Sequence, residues 1–158
     1  MARKRKELPF YEGVEIEAVA AEGKSLTRIG DMVVFIPYGA PGDVVDIKLD
    51  KKKRNYAEAH IVNMVKPSEI RTVPKCEHFG VCGGCKWQHL PYSEQLKFKQ
   101  TQVSDALTRI AKVEFPEINP ILGSNEIWEY RNKLEYTFSN KSWISFEDLR
   151  SGKEIADR

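Results

Sequence analysis

The sequence is poor in cysteine and contains no long apolar run. Its 158 residues include three cysteines, Cys76, Cys82 and Cys85, and an odd number within ten positions argues against a disulfide framework. No apolar stretch approaches the roughly 20 residues that a membrane-spanning helix needs, and the first residues are polar and basic. We therefore expect a protein of the reducing cytoplasm that has no membrane partner.

Three further absences limit the functions that the chain can carry. The net charge is only +2, so the sequence gives no global basic signal, although its basic residues are clustered. The sequence has no glycine-rich turn between a strand and a helix for a nucleotide-like cofactor. No cysteine remains as a nucleophile if all three bind a metal. We therefore expect no catalytic residue, and a binding role for the chain by itself.

The three cysteines follow the spacing Cys-x5-Cys-x2-Cys. Clustered thiols in a reducing compartment usually bind a metal, and Gly80, Gly83 and Gly84 let the backbone bend around one. Zinc prefers four ligands, and His78 or His89 could provide the fourth. An iron–sulfur cluster prefers four thiolates, of which three are present. The ligand count alone favours a Cys3His zinc site, the spacing favours neither metal, and three buried free cysteines are the remaining alternative.

Residues 1–9 form a basic tail, and residues 10–66 follow the period-two pattern of short β-strands. Val14, Ile16 and Ala18 alternate with mostly polar residues, and Gly30-Asp31 and Pro41-Gly42 mark tight turns. Four or five strands in so short a segment must close on themselves to bury one face. We therefore expect a small β-barrel, followed by a connector and cysteine loop over residues 67–90.

The clustered cations predict contacts with nucleic acid. Four of them are adjacent at an expected hairpin tip, and two more lie in an earlier loop that can share the same face; they are Lys51, Lys52, Lys53, Arg54, Lys24 and Arg28. Phosphate neutralisation by lysine and arginine dominates non-specific binding of nucleic acid. The alternative is a solvated loop that prevents pairing between sheet edges. Phe35 or Tyr38 could stack on a base, although such residues more often belong to a core.

The second half of the chain predicts a helix and then more strands. Residues 91–112 read as an amphipathic helix whose apolar stripe is Leu96, Val103, Leu107 and Ile110. Residues 113–158 begin a further strand region with alternation from Tyr130 to Ser139 and a hairpin turn at Asn140-Lys141, after which Trp143–Phe146 returns. The expected fold is mainly β with one long helix, in the α+β class.

Three stretches resemble one enzyme family. Cys-Glu-His-Phe-Gly-Val-Cys-Gly-Gly-Cys-Lys-Trp-Gln-His-Leu, residues 76–90, followed by Tyr-Ser-Glu-Gln-Leu-Lys-Phe-Lys, resembles the iron–sulfur segment of the RNA uracil-C5 methyltransferases. Residues 22–37 with Ala-Pro-Gly-Asp-Val-Val at 40–45 resemble the TRAM domain, an OB-like RNA-binding barrel at the front of these enzymes. Tyr130-Arg-Asn-Lys-Leu-Glu-Tyr136 resembles the segment that follows their cluster.

The resemblance implies specific roles. Cys76, Cys82 and Cys85 would be three ligands of a [4Fe-4S] cluster whose fourth cysteine lies beyond Arg158, and Arg131, Asn132 and Lys133 would lie near the RNA. The chain would then be the substrate-recognition portion of a longer enzyme that uses S-adenosylmethionine, inactive by itself, with ribosomal RNA as the expected partner and tRNA as the alternative. A different class remains open: a stand-alone RNA-binding protein with a Cys3His zinc site.

Overall fold

A computed structural model describes residues 8–130 and 138–151 of the chain. It divides the chain into two compact units, Met1–Leu122 and Gly123–Arg158. The first unit contains six strands: β1 (Phe10–Glu15), β2 (Ala18–Val19), β3 (Lys24–Ile29), β4 (Met32–Pro37), β5 (Val44–Lys52) and β6 (Tyr56–Lys66). A helix follows, α1 (Tyr92–Asp105), which continues as a stretch of π-helix over Ala106–Ala111.

The six strands form one curled sheet in the order β1-β5-β6-β4-β3-β2. Neighbouring strands are antiparallel except β4 and β6, which run parallel. The curl brings the chain after β1 to β3, because the Glu17 amide donates to the Leu26 carbonyl at 3.0 Å and the Thr27 hydroxyl donates to the Glu15 carbonyl at 2.7 Å. This half-barrel with one long helix confirms the predicted fold class.

The core of the half-barrel follows the alternation along the strands. Its buried apolar side chains come from every second residue of β4, β5 and β6 and from the segment after β1; they are Ile16, Val34, Ile36, Val45, Ile47, Leu49, Ala57 and Ala59. The intervening residues face outward. The turn between β3 and β4 has two residues, and Gly30 adopts a φ of 59°, which a side chain would disfavour.

Helix α1 buries only part of the stripe that the sequence predicts, since Leu96 and Leu107 are half-buried. Val103 is 51% exposed and Ile110 is 83% exposed. Instead, the Gln95 amide donates to the Trp87 and Leu90 carbonyls at 3.1 and 2.9 Å, and the Gln102 amide donates to the Ala20 carbonyl at 2.9 Å. Side-chain amides that bind loop carbonyls therefore help to hold the helix, together with an edge-to-face contact between the Phe98 and Trp87 rings at 6.4 Å. Periodicity of apolar residues does not reveal the amide bonds. No helix among the described residues is long and apolar enough to cross a membrane.

The second unit corrects the predicted hairpin. Its described residues, 123–130 and 138–151, contain no strand, and residues 146–151 form the short helix α2 (Phe146–Ser151) instead of a returning strand. Ser145 and Asp148 explain the difference: the Asp148 amide donates to the Ser145 hydroxyl at 3.1 Å, and the Ser145 amide donates to the Asp148 carboxylate at 3.2 Å. This capping box starts a helix where alternation suggests a strand. Residues 131–137, which carry most of that alternation, lie outside the described residues.

Candidate nucleic-acid interface

The run of four cations lies at the hairpin between β5 and β6. Lys51 pairs with Glu58 and Lys52 with Ala57 at the end of the ladder, and the Lys53 amide donates to the Tyr56 carbonyl at 2.8 Å across the turn. Lys51, Lys52, Lys53 and Arg54 are all exposed, and none forms an ion pair with a residue that the structure describes. The run therefore lies at a hairpin tip, as the sequence predicts, and its role in binding stays a prediction.

A bulge in β5 sets the direction of Lys51. Leu49 pairs with Ala59 on the core side, and the next pair in the ladder is Lys51 with Glu58, so Asp50 is an extra residue in β5. A bulge of this kind shifts the alternation of a strand by one position. As a result, Leu49 remains in the core while Lys51 takes the outward parity of Glu58.

Lys24 and Arg28 lie on the same outward side, on strand β3. The sequence places them in a loop, which is wrong: they lie on strand β3, on the outward parity that alternates with the buried residues Ser25 and Thr27. Strand β3 begins directly after the short turn Ala21–Gly23, in which Gly23 adopts a φ of 74°. Lys24 lies 3.8 Å from the Glu22 carboxylate and Arg28 lies 2.8 Å from the Glu17 carboxylate, so both cations are partly neutralised.

The outward side also carries an aromatic pair. The register aligns Arg28, Val33 and Tyr56 across β3, β4 and β6, and the Phe35 and Tyr56 rings meet edge to face with centroids 6.1 Å apart. Tyr56 is 37% exposed. The sequence predicts stacking for Phe35 but not for Tyr56. The outward parity that Tyr56 shares with Glu58 and His60 is the signal that could have identified it.

Tyr38, the other aromatic candidate, has a different environment. Its ring meets Phe79 of the cysteine loop edge to face at 5.4 Å, and Phe79 lies 5.5 Å from the His89 ring. His89 Nε2 lies 3.2 Å from the Gly39 carbonyl oxygen. We call these four residues, Tyr38, Gly39, Phe79 and His89, the barrel–loop contact. It joins the cysteine loop to the half-barrel, so Tyr38 is a packing residue here.

The surroundings of His89 favour its neutral form. It is 1% exposed, and its Nδ1 atom has no hydrogen-bond partner among the described residues. Burial lowers the pKa of His89 and outweighs the opposing hydrogen bond to Gly39, while the charges of Arg71 and Asp43 act in opposite directions. Of the two histidines suggested as a fourth zinc ligand, His89 therefore faces the half-barrel, and His78 is the exposed one.

A buried ion pair joins the connector that follows β6 to the half-barrel, next to this contact. The carboxylate of Asp43 is fully buried and accepts two bonds from the Arg71 guanidinium, each of 2.7 Å, and one each from the Ala40 and Ser68 amides at 2.6 and 2.9 Å. Burial alone would raise the pKa of Asp43, but these donors and the charge of Arg71 together hold it below its ordinary value. The sequence around Arg71 carries no signal for this pair, because the partner of Arg71 lies 28 positions earlier.

The cysteine loop is built from consecutive turns. Cys76 is half-buried and Cys82 and Cys85 are exposed, and the Gly84 amide donates to the Cys82 sulfur at 3.4 Å. In the part of the chain that the structure describes, no group of three or more histidine, cysteine or acidic side chains is arranged to hold a metal ion. The metal, whether zinc or an iron–sulfur cluster, therefore remains a prediction. Arg131, Asn132 and Lys133, predicted near RNA, lie outside the described residues.

Comparison with known proteins adds a domain and a set of relatives. The TRAM domain matches residues 11–62. A protein of Bacteroides thetaiotaomicron described as an uncharacterized RNA methyltransferase is 57% identical over 84% of this chain and 29% of its own length. A protein of Porphyromonas gingivalis with the same description is 55% identical over 87% of this chain and 30% of its own length. The 23S rRNA (uracil(1939)-C(5))-methyltransferase of Neisseria lactamica is 37% identical over 79% of this chain and 27% of its own length. The chain thus spans about 30% of the length of the curated relatives it matches.

Proposed function

Because this chain carries a TRAM domain and is related over most of its length to RNA methyltransferases, we propose that it is the RNA-binding, substrate-recognition portion of such an enzyme. The observation that carries the proposal is the cluster of exposed cations at the β5–β6 hairpin tip, on a domain of the TRAM type. Four adjacent positive charges repel one another and have no anionic partner among the described residues. A phosphate backbone supplies that partner and releases its counterions on binding.

A matched pair of variants tests this contact. In the first, Lys52, Lys53 and Arg54 are replaced with alanine; in the second, the exposed helix residues Lys97, Lys99 and Arg109 are replaced. Both variants lose two lysines and one arginine, so the change in net charge is identical. If each tip cation neutralises one phosphate of a single strand, the plot of log affinity against log salt should become shallower by about 2 in the first variant.

The helix variant tests whether a loss of RNA affinity comes from the hairpin tip or from the change in net charge alone. Affinity for RNA is measured by fluorescence anisotropy over a range of salt concentrations, with thermal unfolding as the check that both variants fold. We expect the helix variant to keep the salt slope of the parent protein. Equal losses in the two variants would show that net charge, not the hairpin tip, governs binding, and the proposal for the tip would fail.

We further propose that the RNA is ribosomal and that the complete protein transfers a methyl group from S-adenosylmethionine to C5 of a uracil. The support is the relative from Neisseria lactamica, whose name specifies 23S rRNA and uracil C5. The complete protein, incubated with labelled S-adenosylmethionine, should produce 5-methyluridine in ribosomal RNA, whereas this chain alone should bind RNA without methylating it. Labelled tRNA in place of ribosomal RNA would contradict the choice of partner.

For the cysteine loop we propose that Cys76, Cys82 and Cys85 provide three thiolates to a [4Fe-4S] cluster, with a fourth cysteine outside this chain. The support is that the three thiols lie within ten positions and that the Gly84 amide already donates to one sulfur, as amides do around such clusters. Iron and sulfide with broad visible absorption in the complete protein would support the cluster. Stoichiometric zinc in a colourless protein would support the Cys3His alternative instead.

A further inference from the structure

An aromatic pair stands within the cationic outer side of the half-barrel. We propose that the ring of Tyr56, held in place by Phe35, stacks on an unpaired base, so that this side of the sheet binds single-stranded RNA in preference to duplex. The inference rests on the proposed function and deepens it, because it names the form of RNA that the TRAM domain takes. It is carried by the register of β3, β4 and β6 and by the exposure of Tyr56.

The register places a ring between two sets of cations. Arg28, Val33 and Tyr56 lie in one row across three strands, so Arg28 lies two strand spacings, about 10 Å, from Tyr56. On the other side, the backbone carbonyl of Tyr56 accepts a hydrogen bond from the Lys53 amide, so Lys53 of the cationic tip lies opposite Tyr56 in the hairpin. A strand of RNA that crosses the sheet at this row therefore meets a cation, an aromatic ring and then a cationic loop.

The Tyr56 ring is partly exposed to a ligand, and it is also held by contact with Phe35. Phe35 is half-buried and meets Tyr56 edge to face, an arrangement that limits rotation of the tyrosine ring while leaving it 37% exposed. Leu26 and Val33 are half-buried neighbours on the same side of the sheet. A partly exposed aromatic surface with a cationic border is the arrangement that proteins use to bind single strands.

The carboxylates on this side restrict where phosphates can lie. Glu17 and Glu22 pair with Arg28 and Lys24, and Glu58 lies in the row next to Tyr56. Positive charge without a carboxylate partner among the described residues is therefore concentrated at the hairpin tip, while Arg28, the cation in the row of Tyr56, is paired with Glu17. This division favours phosphate contacts at the tip and a base, not a phosphate, at Tyr56. In a duplex the bases are stacked on each other, so their faces are closed to such a ring.

Substitution of Tyr56 tests the inference. Affinities of the parent chain and of Tyr56→Ala, Tyr56→Leu and Tyr56→Phe are measured by anisotropy with labelled oligo(U) and with the same strand annealed to oligo(A). We expect Tyr56→Ala and Tyr56→Leu to weaken binding of oligo(U) by about 5- to 100-fold, as removal of a stacking ring does, with Tyr56→Phe close to the parent. The salt slope should not change, because no charge is removed.

Phe10→Ala provides the matched control. Phe10 is an exposed aromatic on β1, 46% exposed, and its loss should leave affinity for oligo(U) unchanged. Equal affinity of Tyr56→Ala and the parent for oligo(U), or an equal loss on the duplex, would overturn the inference. If the plot of log affinity against log salt becomes shallower in the hairpin-tip variant while Tyr56→Ala does not weaken binding, the stacking inference fails and the proposed function survives. If neither variant has an effect, both fail.

Discussion

Replacing Asp43 with asparagine should destabilise the first compact unit by several kilocalories per mole. The carboxylate of Asp43 is fully buried and accepts four N–H bonds, two at each oxygen. Asparagine keeps the shape but turns one oxygen into an NH2 group, which faces two donors whichever way the amide is oriented. Either orientation loses two hydrogen bonds, one of them from the charged Arg71.

The expected loss of folding free energy depends on the charge of Arg71, which remains buried without its partner. Removing one partner of a buried ion pair costs about 3–5 kcal/mol, because the other charge is left uncompensated. The side chain of Arg71 is 21% exposed and also donates to the Tyr38 carbonyl at 2.7 Å, so water and this bond offset part of the cost. We therefore expect about 3 kcal/mol, near the lower end of the range, which is a large share of a typical domain stability of about 5–15 kcal/mol.

Urea unfolding followed by circular dichroism measures this change, with Asp50→Asn as the control. Asp50 also has a side-chain partner, His60 Nδ1, at 2.7 Å, but the Asp50 side chain is 54% exposed, and exposed pairs contribute about 0–1 kcal/mol. In the double variant Asp43→Asn with Arg71→Met, the loss should be smaller than the sum of the single losses by about 1 kcal/mol or more. A loss below about 1 kcal/mol for Asp43→Asn, or strict additivity in the double variant, would refute the reasoning.

The same pair determines how stability depends on acid. The pKa of Asp43 in the folded protein lies below its ordinary value of 3.8, so the unfolded chain takes up the proton at a higher pH than the folded one. The contribution of Asp43 to stability is thus complete above pH 3.8 and is lost as the pH falls through the lowered pKa. Asp43→Asn should remove this part of the acid-induced loss of stability.

Two other positions give independent predictions. The pKa of buried His89 lies below its ordinary value of 6.5, so stability should be highest above that pH and fall as the pH drops below it. His89→Phe should reduce this pH dependence, measured by urea unfolding at successive pH values. An unchanged pH dependence in the variant would contradict the prediction. Gly39→Ala would place a Cβ atom 2.2 Å from the buried Ser25 hydroxyl oxygen and should cost about 1–3 kcal/mol, partly recovered by Ser25→Ala. Gly84→Ala, whose nearest contact would be an ordinary 3.5 Å from the Cys82 sulfur, should be tolerated, and equal effects of Gly39→Ala and Gly84→Ala in thermal unfolding would contradict the packing argument.

The half-barrel was predictable from the sequence because the signals that specify it, strand alternation and turn residues, each lie within a few neighbouring residues. Alternation in β4 and β5 and the turns at Gly30 and Gly42 depend on neighbouring residues, and each is visible in a short window. The position of the cationic run at a hairpin tip was predictable for the same reason. The burial of Ile36, Ile47 and Leu49 follows from that alternation once one face of the sheet is closed.

The features that sequence reasoning missed depend on long-range pairing. The Asp43–Arg71 pair and the barrel–loop contact join residues whose neighbours give no periodic signal. The parallel pairing of β4 with β6 brings Phe35 to Tyr56, and no local pattern specifies it. Helix α2 differs from the prediction for another reason: Ser145 and Asp148 form a capping box, a local helix signal that opposes the alternation of Trp143–Phe146.

The barrel–loop contact determines where the chain can be cut. The TRAM match ends at residue 62, yet Asp43 and Gly39 inside it complete their bonding through Arg71 and His89, which lie outside it. A truncation after Lys66 would leave a charged carboxylate and a carbonyl without these partners and would uncover the ring of Tyr38. An exchange of this domain between relatives would therefore have to carry the segment through Leu90 along with it, because the recombination point that preserves these bonds lies after the cysteines and not before them.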